Sequence, residues 1–579
     1  MPTAERRWAW PALALILGGG LALRLWGVRQ GLPFVYNIDE ADHFVPHAVA
    51  MFTAGTLNPH YFANPPAFTY LLHAVFALWY GGAHGAEHAL ARDPAGVYTL
   101  ARVTAALLGT AALWLLYLVG ARLWGRAAGL LAAAIEAVAF LPVFYAHLAV
   151  NDVPTLAPLT LSLLGSAGVL RKGRLRDHVL AGAGLGLACA SKYTAGIVLV
   201  PYVAAAAASF LAGAGGRRTL SGLAAMAMAA VLAFLIANPY ALLDFSRFHR
   251  ELVHQSSQSA ESQGKLGAPK QGGLAYYLWS LTWGLGWVPA LAALGGAVAI
   301  WRRSLALGWM LVPAPLLFLA FMGLQGRYFG RWLMPILPIL CLLSAFFALE
   351  AARVLAAALS RVARRALVAR VAAGGAAVLL VALLLVQGLL YSVHSGLVLA
   401  RTDTRTLARQ WMLANVPRGA RIVAEPVSPD NWAREGPGRA GAPACPGYRW
   451  CKYPSTLSRI DAAGTIAGAQ RRVGIESYVR TLAPSLLGYY RRHGYCWVVS
   501  GSTQADRALV QPSAVPLASA YYRALAQQGS VLFSASPYAR GAGAVAFNFD
   551  WSFDYYPMAY ARPGPQMTVY RLSGGRCGA

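Results

Sequence analysis

Apolar residues along this chain gather into long runs separated by short basic stretches, and the pattern changes near residue 395. A helix crossing a bilayer needs about 20 mostly apolar residues. Windows near that length run from Trp10 to Trp26, Tyr98 to Val119, Ala127 to Tyr145, Pro154 to Leu170, Val179 to Ala190, Thr194 to Leu211, Leu220 to Ala237, Ala275 to Ile300, Leu305 to Leu324, Leu333 to Leu349 and Ala372 to Leu390. They predict about eleven transmembrane helices. A shorter stretch, Ala67 to Tyr80, reads as a helix lying at the interface, and Lys192 falls where two short spans meet. After about His394 the signals are those of an α/β domain: a helical Thr404 to Asn415, a strand-like Cys496-Trp497-Val498-Val499-Ser500, a turn-rich Glu435-Gly436-Pro437-Gly438 and a closing strand Met567 to Leu572. The expected architecture is a polytopic α-helical membrane domain over 1–395, with external loops at 28–96 and 238–273, followed by a soluble extracytoplasmic α/β domain over 396–579.

Composition agrees. A hydrophobic share of 57% with only 12% charged residues excludes a purely soluble protein, for which about 25% charged is usual. The net charge of +27 would suggest nucleic acid in a soluble chain, but here it follows membrane topology. With the N-terminus in the cytoplasm, about 17 basic residues fall in short inner segments and about ten on the other side, in far more loop. Inner positions include Arg6, Arg7, Arg122, Arg126, Arg171, Lys172, Arg174, Arg176, Arg217, Arg218, Arg302 and Arg303. An odd number of spans then puts the tail outside, in a multi-pass protein of the cell's inner (plasma) membrane, with Arg6-Arg7 preceding a retained first span rather than a cleaved signal. An oxidising compartment makes disulfides among Cys445, Cys451, Cys496 and Cys577 reasonable, Cys445 with Cys451 first; Cys189 and Cys341 read as packing residues.

In a chain with 22 acidic residues, those near the membrane are informative, because an ionised carboxylate beside lipid is costly. Asp39, Glu40 and Asp42 crowd together just after the first span, and Asp152 follows the third. Both stretches face the same side, so a cleft between them would hold two carboxylates. One would take a proton from an incoming hydroxyl while the other orients it, binds a sugar hydroxyl or holds a metal, and Asp39 is the candidate base. The same acids also suit an N-capped helix start, and Asp152 before Pro154 suits another; the two readings are compatible.

The order Asp39-Glu40, Asn64-Pro65-Pro66, Asp152, Ser191-Lys192-Tyr193, Asn238-Pro239-Tyr240 with Leu243-Asp244, and Arg327-Tyr328 leading into Pro335 and Pro338 resembles the integral-membrane glycosyltransferases of the C superfamily. Within it the pattern is similar to glycosyltransferase family 39 and its relatives, the protein O-mannosyltransferases and aminoarabinose transferases. The resemblance implies a polyprenyl-phosphate sugar donor and a glycan, lipid or protein acceptor reached from the outer face. It also implies that Asp39 is the general base, Glu40 its partner and Asp152 the second acid, with Lys192 and Arg327 holding the carrier phosphate. The chemistry agrees: breaking an anomeric carbon–phosphate bond leaves charge on phosphate, which a fixed cation at a water-poor rim stabilises. Arg327 and Arg331 flank a span start, where anchoring arginines are common. Displacement of phosphate by the acceptor oxygen would invert the anomeric centre.

Other features are less decisive. The polar, Gly-containing loop 238–273 could close over a donor as a mobile lid. His43, His47, His60, His73 and His147 lack the compact spacing of a metal-binding helix and leave a divalent metal open. Glu136 lies mid-span, as a polar contact inside the bundle. The rival reading is a multi-pass transporter or flippase of a lipid-linked or small polar substrate, although no repeated halves are evident.

Overall fold

The computed structural model describes residues 2–260, 266, 272–362, 366–436, 441–453, 459–460, 466–467, 478–547 and 557–578. Helices cover each of the eleven apolar windows. Among the described residues eight stretches are long and apolar enough to cross a membrane; shorter helices over 126–145, 156–171 and 175–191 are packed among them.

The break in the third window has a local cause. Arg126–Val138 stops and Phe140–Tyr145 begins around Ala139, whose ψ of 129° is extended. Pro142 lies four residues after Val138, and a proline ring cannot pack against that carbonyl in a continuous helix. The freed Val138 carbonyl accepts instead from Ser392 Oγ at 2.8 Å, as an apolar interior requires. In the same helix Glu136 and Ala137 present carbonyls to the buried Arg24 guanidinium, at 3.3 and 3.1 Å.

Small residues set the tightest packing. Leu175–Ser191 lies against Leu156–Arg171 and Gly216–Ala237, and a Cβ at Gly184 or Gly186 would overlap backbone atoms of Ser162 and Ala230. Association through small faces is the usual solution where lipid supplies no hydrophobic drive between helices.

The segments expected to form loops at 28–96 and 238–273 are more folded than the sequence suggests. Between the first two spans lie a wide π turn at Glu40–Phe44 and helices Val45–Thr53, Ala67–Tyr80 and Ala83–Arg92. The stretch Ala67–Tyr80 is a helix, as expected, ending on exposed Leu78 and Trp79. Much of the expected lid is helix Phe245–Ala260, preceded by Tyr240–Leu243, and it is pinned rather than free: Asn58 Nδ2 donates to Asp244 at 3.0 Å, and the Phe62 and Ala63 amides donate to Glu251. Amphipathic spacing that looks polar in a linear reading suffices for such a surface helix. Residues 261–265 and 267–271, the rest of that loop, lie outside the described residues.

Helix Ala366–Leu399 leads into the tail, whose first helix, Thr404–Asn415, is capped by Asp403. The tail sheet has strands β1 (Arg421–Ala424), β2 (Cys451–Tyr453), β3 (Tyr495–Gly501), β4 (Gly529–Ala535) and β5 (Met567–Leu572) in the order β2-β1-β3-β5-β4. β1 runs parallel to β2 and β3; β5 is antiparallel to both its neighbours. Alternation along β3 sends Val498 into one core with Tyr478, Tyr490 and Tyr521, and Val499 into another with Trp432, Trp450 and Met567. Cys445 is joined to Cys451, and Cys496 to Cys577.

Candidate active site

The loop after the first apolar helix turns sharply into its π turn, and the capping there falls to Asn37. Its Oδ1 accepts from the Glu40 amide at 3.1 Å, whereas Asp39 makes no capping bond. The Asp39 carboxylate is therefore not consumed by helix initiation. It is 34% exposed, and its Oδ2 accepts from Arg331 Nη2 at 2.8 Å while Oδ1 lies 3.7 Å from His43 Nε2.

Its neighbour does something different. Adjacent residues on a helical turn do not share a face, and Glu40 points inward, fully buried, against Arg102 with both prongs at 2.7 Å. Glu40 Oε1 also accepts from the Ala149 amide at 2.8 Å, and Arg102 donates to the carbonyls of Val28 and Gln30. Glu40 thus ties the Asp39 turn to the segment that carries Asp152. It is a positioning residue by geometry, set away from the cleft.

Asp152 is itself almost buried, at 4% exposure, and accepts from Lys192 Nζ; its other oxygen lies 3.9 Å from Arg331 Nε. Asn151 Nδ2 donates to the Ser191 carbonyl at 2.6 Å, holding the two segments together. Lys192 follows the end of Leu175–Ser191 with extended backbone, as expected for a residue between two short spans. Arg331 stands on the 3-10 turn Gly330–Ile336 with its guanidinium 4.5 Å from the Phe329 ring centre. The result is a run of alternating charges, Asp39, Arg331, Asp152, Lys192.

Sequence reasoning singled out Arg327, but the structure brings Arg331, four residues on, to both carboxylates. The Arg327 amide bonds the Ser259 carbonyl at 3.1 Å. Arg102 was passed over because it sits inside an apolar window. A charge at such a position is itself a signal that a buried partner exists.

Asp39 and Arg331 open onto a cleft of about 1370 Å³ between the helical domain and the tail, also lined by Asp42, Tyr98, Asp506 and Tyr560. The tail grips the Asp39 loop from the other side. Tyr36 OH and Thr406 Oγ1 are 2.9 Å apart, Arg405 lies 3.7 Å over the Tyr36 ring and Arg409 5.1 Å over Phe34. Tyr61 stacks on both His43 and His47, with ring centres 5.0 and 4.8 Å away. Among the described residues no three His, Cys, Asp or Glu side chains converge as a metal-ligand set.

Residues 97–242 match the sequence model of the family described as dolichyl-phosphate-mannose-protein mannosyltransferase. The chain resembles an integral-membrane glycosyltransferase of the C superfamily. That match bears out the likeness to family 39 and the enzyme class it implies. Among solved structures the fold is similar to the oligosaccharyltransferase AglB of Archaeoglobus fulgidus, in complex with an inhibitory peptide and a dolichol-phosphate. The identity is 12%, the TM-score is 0.51, and 92% of this chain and 74% of that one are covered. The apo form of the same archaeal enzyme gives 13% identity and a TM-score of 0.51, over 93% and 75% of the two chains. ArnT from Cupriavidus metallidurans bound to undecaprenyl phosphate aligns over 99% of both chains at 14% identity, with a TM-score of 0.48. No curated protein matches the chain in sequence. The glycosyltransferase-like fold therefore extends through both the helical domain and the tail.

Proposed function

We propose that the chain transfers a glycosyl group from a polyprenyl-phosphate sugar to a hydroxyl of a glycan, lipid or protein acceptor, at the outer face of the inner (plasma) membrane. The N-terminus is cytoplasmic and the tail over 396–579 extracytoplasmic. The observation that carries this reading is Arg331 reaching toward two carboxylates, Asp39 at the cleft and Asp152 behind it, with Lys192 on the second. A proton acceptor and two cations are thereby brought side by side.

Asp39 accepts the proton of the acceptor hydroxyl, the acceptor oxygen bonds to the anomeric carbon, and the carbon–oxygen bond to phosphate breaks with inversion. The electron pair leaves on the carrier phosphate. An ammonium has three donors, and Asp152 accepts one from Lys192, which orients that side chain while leaving two for phosphate oxygens. Arg331 supplies the second cation in this reading and Arg327 serves at the span start. The archaeal enzyme of shared fold is described with dolichol-phosphate, a carrier of the proposed class.

The test is a purified assay with polyprenyl-phosphate mannose as probe, following release of polyprenyl phosphate and the anomeric configuration of the product. Retention of configuration would overturn direct displacement. Movement of the lipid across a vesicle without bond cleavage would favour the transporter.

A further inference from the structure

Helix Pro94–Trp124 runs unbroken from Tyr98, at the Asp39 cleft, to Arg122, a distance of about 36 Å. At that far end lies a second cavity of about 550 Å³, within the range of ligand pockets. Four cations line it, Arg122, Arg171, Lys172 and Arg176, against one carboxylate, Asp177.

That carboxylate is already engaged. Asp177 is 1% exposed and accepts from Arg122 at 3.2 Å, in a space that exists because residue 168 is glycine; any Cβ there would strike both side chains. Arg171 donates to the Leu123 carbonyl at a helix end. Lys172 and Arg176 have no ion-pair partner among the described residues. The cavity therefore keeps an uncompensated positive charge.

Two helix starts adjoin the same space. Helices Arg126–Val138 and Leu175–Ser191 both begin beside it and neither has a side-chain cap, so the positive ends of two helix dipoles add to the field there. Cations that serve only to orient a membrane protein need no cavity. Beside Arg176, exposed Leu175 and Val179 continue an apolar track along the helix, suited to an acyl chain.

We propose that this cavity binds the phosphate group of an anionic phospholipid on the membrane face opposite Asp39. Free inorganic phosphate offers the same chemistry without the chain, and the experiment separates the two. Full-length protein in neutral detergent is titrated with phosphatidylglycerol, phosphatidylcholine or inorganic phosphate, and bound ligand is counted by native mass spectrometry. The expected result is retention of phosphatidylglycerol over phosphatidylcholine, weakened about 10- to 30-fold in K172Q/R176Q. Unchanged affinity is expected in R302Q/R303Q, which removes the same charge from the same face outside the cavity. K172R/R176K should retain binding, which separates lost charge from lost folding. Displacement of phosphatidylglycerol by millimolar inorganic phosphate would reassign the same site to free phosphate. Equal losses in K172Q/R176Q and R302Q/R303Q, or no loss in K172Q/R176Q, would overturn the site.

Discussion

Glu40 and Arg102 form a two-pronged, fully buried ion pair at 2.7 Å while the residue next to Glu40, Asp39, faces the cleft. Breaking such a pair from one side leaves an uncompensated buried charge, which typically costs about 3–5 kcal/mol. Arg102→Gln should therefore lower the melting temperature of the detergent-solubilised protein clearly and reduce transfer as well, because the clamp sets the Asp39 turn. A variant that melts like wild type would remove the pair from that role.

Asp39→Asn should behave in the opposite way. The side chain is 34% exposed and caps nothing, so its loss removes chemistry more than structure. Turnover should fall by about 10²–10⁴-fold, the range for a lost general base, with melting near wild type. Retained turnover in the purified assay would exclude Asp39 as the base.

Arg331 and Arg327 can be told apart by substitution. Removing a preorganised cation from a charge-developing site typically costs about 10²–10³ in kcat. Arg331→Gln should show a loss of that order and Arg327→Gln a much smaller one, since only the former reaches Asp39 and Asp152. Single-turnover measurement of carrier-phosphate release checks this; the reverse ranking would return the role to Arg327.

The tail carries its own pH signature. Glu425 is buried, and burial pushes its carboxyl from 4.5 up to about 7, against the opposing effect of bonds from Gly501, Tyr522 and Ser500. Below pH 4.5 the group is protonated both folded and unfolded and contributes nothing to the pH dependence. Between 4.5 and about 7 the unfolded chain loses the proton first, so stability falls as pH rises, and above 7 the full cost remains. The total is about 3 kcal/mol. Glu425→Gln should flatten the tail's melting profile between pH 4 and 8, whatever its absolute stability. An unchanged slope would show that Glu425 does not titrate in this way.

Much of this organisation is legible in the sequence because the membrane simplifies it. Apolar runs become helices, and scarce acids on one face point to Asp39 and Asp152. What the linear reading misses depends on angular phase. Asp39 and Glu40 are neighbours in the chain, yet the roughly 100° between adjacent helical residues separates a cleft-facing carboxylate from a buried clamp. Arg327 and Arg331 both flank a span, and only the 3-10 turn at Gly330–Ile336 decides which reaches the acids. Phe245–Ala260 looks like a flexible connector because its apolar positions are few, and its anchors, Asn58 and Phe62, lie nearly two hundred residues earlier.

The clasp between Tyr36 and Thr406, with Arg405 and Arg409 laid over the loop aromatics, bears on how the protein can be re-engineered. A chimera that grafts a foreign tail after Leu399 would keep the whole helical domain and still lose the surface that seats the Asp39 loop. The exchangeable module is discontinuous: whoever swaps the tail must bring Phe34 and Tyr36 along with it.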